Sequence, residues 1–165
     1  MLQGGVRPLF ARVGQKAFSM IPSSTTKSVA AYIDGADFKT HDERIGGWSA
    51  VMTLVDTNGV RDPRPMAYKE ISGCIQGATH NQAALQAVKQ VLLALKQDGV
   101  SLTIYTGRQP LVGVLAQHWK PSRNQALIAE IKHLMKKHQV TFCAIDPSED
   151  DMAARANLLA LTAAD

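Results

Sequence analysis

With 165 residues, 45% of them hydrophobic, the chain is long enough for one ordinary domain and short for two. Its apolar runs stop well before the ~20 residues needed to cross a bilayer. Cys74 and Cys143 lie far apart and outside any C-x-x-C pair, which excludes a disulfide scaffold and leaves no zinc signature. The formal net charge of +4 belongs to the first 28 residues, where Arg7, Arg12, Lys16 and Lys27 stand without an acid. The rest of the chain carries 14 basic and 14 acidic groups, so it lacks the net positive field of a dedicated nucleic-acid binder.

In residues 1–27, Leu2, Val6, Leu9, Phe10 and Val13 recur at helical spacing among the basic residues, and Ser23-Ser24-Thr25-Thr26 follow. A basic, acid-free amphipathic segment has the composition of a mitochondrial transit peptide; Arg7 and Arg12 interrupt the apolar core that a secretory signal needs. The expected organisation is therefore a leader over 1–27 and a single domain over 28–165, placed in the mitochondrial matrix.

Val29 to Ile33 is a short apolar run of the kind found in a buried central strand. Asp34 and Gly35 stand at its exit, either to hold a cation or substrate at the rim of a sheet or simply to open a turn. Gly46 to Val55 predicts a second strand, Asp56-Thr57-Asn58-Gly59 a hairpin turn, and Pro65 to Cys74 a third strand in an antiparallel meander. From Asn81 to Gln97, Ala84, Leu85, Val88, Val91, Leu92 and Leu95 share one helical face, and Gly99 supplies the stop.

Val100 to Thr106 alternates as a fourth strand, and Pro110 opens a short helix through Trp119. A helix from Asn124 to His138 buries Leu127, Ile128, Ile131, Leu134 and Met135, and Val140 to Ile145 makes a fifth strand. Glu149, Asp150 and Asp151 fall in the first turn of a last Ala/Leu-rich helix, where acids complement the helix dipole. Trp48 and Trp119 fit the apolar faces of their elements and are expected in the core. So are the two cysteines. The five histidines show no recurring ligand spacing and read as surface or capping residues. The order β-β-β-α-β-α-α-β-α describes an α/β sandwich on a five-stranded mixed sheet with flanking helices.

That order, with Asp34-Gly35 at the end of strand one, resembles the ribonuclease H-like superfamily from about Val29 to Ala160. Gly46-Gly47-Trp48-Ser49-Ala50-Val51 looks like the family's first hairpin, and Thr79-His80-Asn81-Gln82 like the entry to its first helix. Ile104-Tyr105-Thr106 with Gln109 looks like its fourth strand and turn, and Ala154 to Ala160 like its last helix. The resemblance implies hydrolysis of the RNA strand of RNA–DNA hybrids by two divalent metals held in a carboxylate cluster. Two cations ~3.5–4 Å apart repel, and only several converging anionic ligands offset that.

Carried over position by position, the family's active-site residues fall on Asp34, Ala84, Gly107 and Asn157, so only the first is an acid, and Arg108 stands beside the third. The acids of the loop Asp146 to Asp151 are the remaining source of ligands, less firmly held than ligands on sheet and helix. The short link Lys120-Pro121-Ser122-Arg123 leaves no room for the family's basic handle. The sequence therefore leads to the expectation of a protein that is not an enzyme, with no catalytic residue, no metal and no cofactor. Its expected role is that of a structural subunit of a large mitochondrial assembly such as the mitochondrial ribosome. The expected partners are other proteins and ribosomal RNA, with no membrane span and no small-molecule substrate. The opposing readings are a divergent metal-dependent ribonuclease H and a module that binds RNA or hybrid without cutting.

Overall fold

The computed structural model describes residues 28–56 and 58–165, so the leader expected over 1–27 lies outside the described residues. Strand β1 (Ser28–Lys39) pairs antiparallel with β2 (Arg44–Val55), and β2 with β3 (Tyr68–Gln76). Helix α1 (His80–Ala94) leads to β4 (Ser101–Thr106), which returns parallel to β1. Helices α2 (Gln109–Ala116) and α3 (Gln125–Met135) precede β5 (Gln139–Ala144), parallel to β4, and α4 (Asp151–Ala164) ends the chain. The sheet order β3-β2-β1-β4-β5 puts β1 in the middle, with the expected element order.

Alternation sorts the side chains of β1 between two faces. Val29, Ala31 and Ile33 join Met52, Leu102, Ile104 and the apolar stripe of α1 in the main core. Tyr32 packs with Val51 against Ala156 and Leu159 of α4 on the other face. Two glycines bring the helices close. A Cβ on Gly35 would lie 2.4 Å from the backbone nitrogen of Ala84 in α1, and one on Gly47 2.1 Å from the carbonyl oxygen of Ala160 in α4. Thr79 caps α1 by accepting from the Gln82 amide, and Asp150 caps α4 by accepting from Met152 and Ala153. A two-pronged Arg155–Glu70 pair, at 2.7 and 2.9 Å, ties α4 to β3.

Several boundaries differ from the sequence expectation. β1 runs on to Lys39, so Asp34 lies within a strand rather than at its exit. The third strand starts at Tyr68, because Pro65 has no N–H for a ladder and Pro65–Ala67 forms a 3₁₀ turn instead. α1 ends at Ala94, five residues before Gly99, and α2 at Ala116, ahead of the left-handed His118. Trp48 is fully buried as expected, whereas Trp119 lies outside its helix, 47% exposed. Cys74 and Cys143 are half-buried rather than core residues.

Lys69 is the most deeply buried cation among the described residues, 2% exposed on β3. Burial, then the charge of Lys96, pushes its ammonium down from 10.5 to about 8. The unfolded chain keeps that proton up to about pH 10.5, so it binds more protons than the native state between about pH 8 and 10.5, and stability rises with pH there. Replacing Lys69 by Met is expected to raise the urea midpoint at pH 7 and to flatten its rise between pH 8 and 10. An unchanged profile would show that the amine is solvated in the native state.

Candidate functional site

β1 and β4 are parallel neighbours only as far as Tyr32 and Tyr105. Beyond that point β1 continues with β2 while the chain leaves β4 at Gly107, so a gap opens at the carboxyl ends of two adjacent parallel strands. Ligands of open α/β sheets commonly sit in such a gap. Asp34 projects from β1 on the α4 side, 8% exposed. Its Oδ2 accepts from Asn157 Nδ2 at 2.8 Å and its Oδ1 from the Gly35 amide at 2.8 Å. Arg108 crosses from the end of β4, with Nε 3.4 Å from Asp34 Oδ1 and Nη2 donating to the Gly35 carbonyl. Asp34 thus meets the donors expected of a carboxylate at this depth.

Ala84 packs with its backbone against Gly35, and Gly107 directly precedes Arg108, so all four family positions converge around the same gap. The residues found there do not fit two divalent cations. One carboxylate is present, both its oxygens are engaged, and a guanidinium stands against one of them. Among the described residues no three His, Cys, Asp or Glu side chains come together as a metal site requires. The acids of the 146–151 loop act locally: Asp146 accepts from the Ser148 amide, which holds its carboxyl below the usual range, and Asp150 caps α4. Beside the gap Tyr32 stacks on Tyr105 with centroids 4.6 Å apart; burial, and then for Tyr32 the Asp150 charge, raises the pKa of these phenols.

Next to this gap lies a groove of about 450 Å³ between the start of α1, α2 and the start of α3. Arg44, His80, Lys120 and Arg123 line it with Trp119, and no acid among the described residues does. Asp37 stands behind, bonding Arg44 Nη1 at 3.5 Å and the His80 amide at 3.1 Å. The link that carries three of these residues is bounded by left-handed His118 and Asn124. It is held down where Trp119 lies on Gly113: a Cβ there would come within 2.2 Å of the indole ring. The sequence reading missed this groove by averaging charge over the body. The signal was present in Lys120 and Arg123 flanking a proline right after an aromatic, with no acid nearby.

No protein-family model matches the sequence. A ribonuclease H of Prosthecochloris aestuarii is 29% identical over 139 residues, which cover 76% of this chain and 86% of that protein. RNase H1 of the halophilic archaeon Halobacterium salinarum shares the fold at 21% identity with a TM-score of 0.63, over 82% of this chain and 96% of that one. LC11-RNase H1, solved in complex with an RNA/DNA hybrid, does so at 20% identity with a TM-score of 0.64, over 84% and 97%. These likenesses establish a ribonuclease H-like fold, and the sequence is similar to that of a protein named ribonuclease H. They also correct the expectation that the chain is not an enzyme, since the relatives are named as ribonuclease H. The error was one of inference: missing ligands rule out one way of holding two cations at these positions, and do not rule out phosphodiester hydrolysis.

Replacing Asn157 by Asp puts a carboxylate where Oδ2 of Asp34 now receives a hydrogen bond. At pH 7 the loss should be about 1–3 kcal/mol, from a missing donor and like-charge contact. The pair must then share a proton, which raises its native pKa above that of the unfolded acids. The penalty should therefore shrink as pH falls towards 5, read as a melting temperature approaching that of the wild type. A penalty independent of pH would show that the two side chains move apart.

Proposed function

We propose, on the premise that this chain belongs to the ribonuclease H-like superfamily, that it recognises RNA–DNA hybrids and presents a backbone phosphodiester to the gap at Asp34. The supporting observation is the acid-free cationic groove beside that gap. Arg44, Lys120 and Arg123 line it and can contact backbone phosphates, and the half-exposed Trp119 can stack on a sugar or base. The hybrid held by the LC11-RNase H1 relative supports the choice of ligand. Neutrality of the whole body is no obstacle, because the field at a groove depends on its own walls.

The test is binding of the purified chain to a labelled RNA–DNA hybrid, with duplex DNA and single-stranded RNA as competitors. The hybrid should be preferred, and Lys120→Ala with Arg123→Ala should lower the slope of log affinity on log salt by about two. Equal affinity for all three nucleic acids, or none for any, would end this reading. RNA-strand cleavage in the same samples locates the chemistry: it should vanish in Asp34→Asn. Cleavage indifferent to that change would place hydrolysis elsewhere.

The compartment and the company of the protein form a second part of the proposal. The acid-free residues 1–27 address the chain to the mitochondrial matrix. Phe38, Leu158 and Leu161, each about half exposed, offer apolar surface to a partner protein within a large assembly, the mitochondrial ribosome among them. A reporter fused to residues 1–28 should reach mitochondria, and the full chain from matrix extract should sediment with a large particle. A cytosolic reporter removes the first claim and a free monomer the second.

A further inference from the structure

Beside the positions at which the family holds cations, this chain carries a cation of its own, Arg108. We infer that Arg108 is a resident cation that binds the backbone phosphate directly, so that hybrid recognition here needs no divalent ion. This rests on the hybrid reading above and adds how the gap itself engages the strand.

Three observations fix Arg108 in that role. First, its main chain is held: the Arg108 amide donates to Oγ1 of the buried Thr106 at 3.1 Å, and the residue stands at the N-cap of α2. Second, the side chain is aimed by β1, through Nη2 on the Gly35 carbonyl and Nε against Asp34 Oδ1. These contacts engage one edge of the guanidinium. Nη1 has no protein partner among the described residues, and the side chain is 31% exposed, so donors remain for a ligand. A planar fork held on one edge and open on the other is suited to a phosphate.

Third, the neighbouring position is crowded for a competing acid. A Cβ on Gly107 would lie 3.0 Å from the Ile145 carbonyl oxygen, so a carboxylate there requires that carbonyl to shift. Asp34 then acts as a positioning residue. It orients the cation that touches phosphate, whereas the family's first carboxylate holds a metal. Asn157 in turn holds Asp34 from α4 at 2.8 Å. The groove cations continue this surface along the strand, since α2 begins directly after Arg108 and contributes Pro110 and Leu111 to the groove wall.

The experiment is hybrid binding by the full chain in EDTA and in millimolar magnesium at matched ionic strength. Affinities should agree within about twofold, because no bound ion bridges protein and phosphate. Arg108→Gln should weaken binding in EDTA roughly tenfold, the scale of one charge-assisted pair. Arg108→Lys, which keeps the charge and loses the fork, should fall between the two, and its melting temperature checks that the fold is intact. Inorganic phosphate as competitor should displace the hybrid more easily from wild type than from Arg108→Gln if the same fork holds both. Binding that disappears in EDTA, or that ignores Arg108→Gln, overturns the resident cation while leaving hybrid recognition standing. Absence of hybrid binding in every condition overturns both.

Discussion

A carboxylate that is 8% exposed has to find donors, and the arrangement around Asp34 follows from that requirement. Three parts of the chain supply them: the next amide on β1, the side chain of Asn157 on α4 and the guanidinium of Arg108 after β4. These contacts span sequence separations of up to 123 residues, so they close the gap only when the sheet, the crossover and the last helix are all in place. The Gly35 and Gly47 contacts set how near the helices come, and the Arg155–Glu70 pair holds α4 beside β3. The site thus depends on the whole fold, and its polar centre is satisfied by protein groups alone.

The fold was legible in the sequence because its elements are strongly patterned. The run from Val29 to Ile33, the helical stripe from Ala84 to Leu95 and the alternation in Val100 to Thr106 each state their period. Boundaries were less so. That β1 would extend past Asp34 to Lys39 depends on pairing with Arg44 to Trp48, which is a non-local fact. The family positions at Asp34, Ala84, Gly107 and Asn157 could be placed by local motif, and they do meet in space. What each side chain touches was not legible there, because the partners of Asp34 come from α4 and from the end of β4.

Trp119 and the groove were not legible, for a physical reason. The sequence shows an aromatic at helical spacing after Leu111 and Leu115, which suggests a core face. The helix stops at Ala116, the backbone turns left-handed at His118, and the indole lies against Gly113 and stays about half exposed. Once the chain has turned there, Lys120 and Arg123 are carried to the same wall as Arg44 and His80 from distant elements. A charge sum over the body reads zero at that point and hides the local field.

Electrostatics also explains why this site can be stable without an ion. A cluster of four carboxylates within a few ångströms raises its own energy until cations or protons enter, since like charges at that range disfavour joint ionisation. With Ala84, Gly107 and Asn157 in three of those places, the repulsion is gone, and one carboxylate faces one guanidinium. The pair is neutral as a unit, partly exposed, and leaves guanidinium donors unspent. Through those donors such a unit can hydrogen-bond a phosphate oxygen, with Asp34 already balancing the guanidinium charge. A divalent cation at Asp34 would face the Arg108 guanidinium beside Oδ1 and the Asn157 amide on Oδ2, so like-charge repulsion from Arg108 opposes its entry.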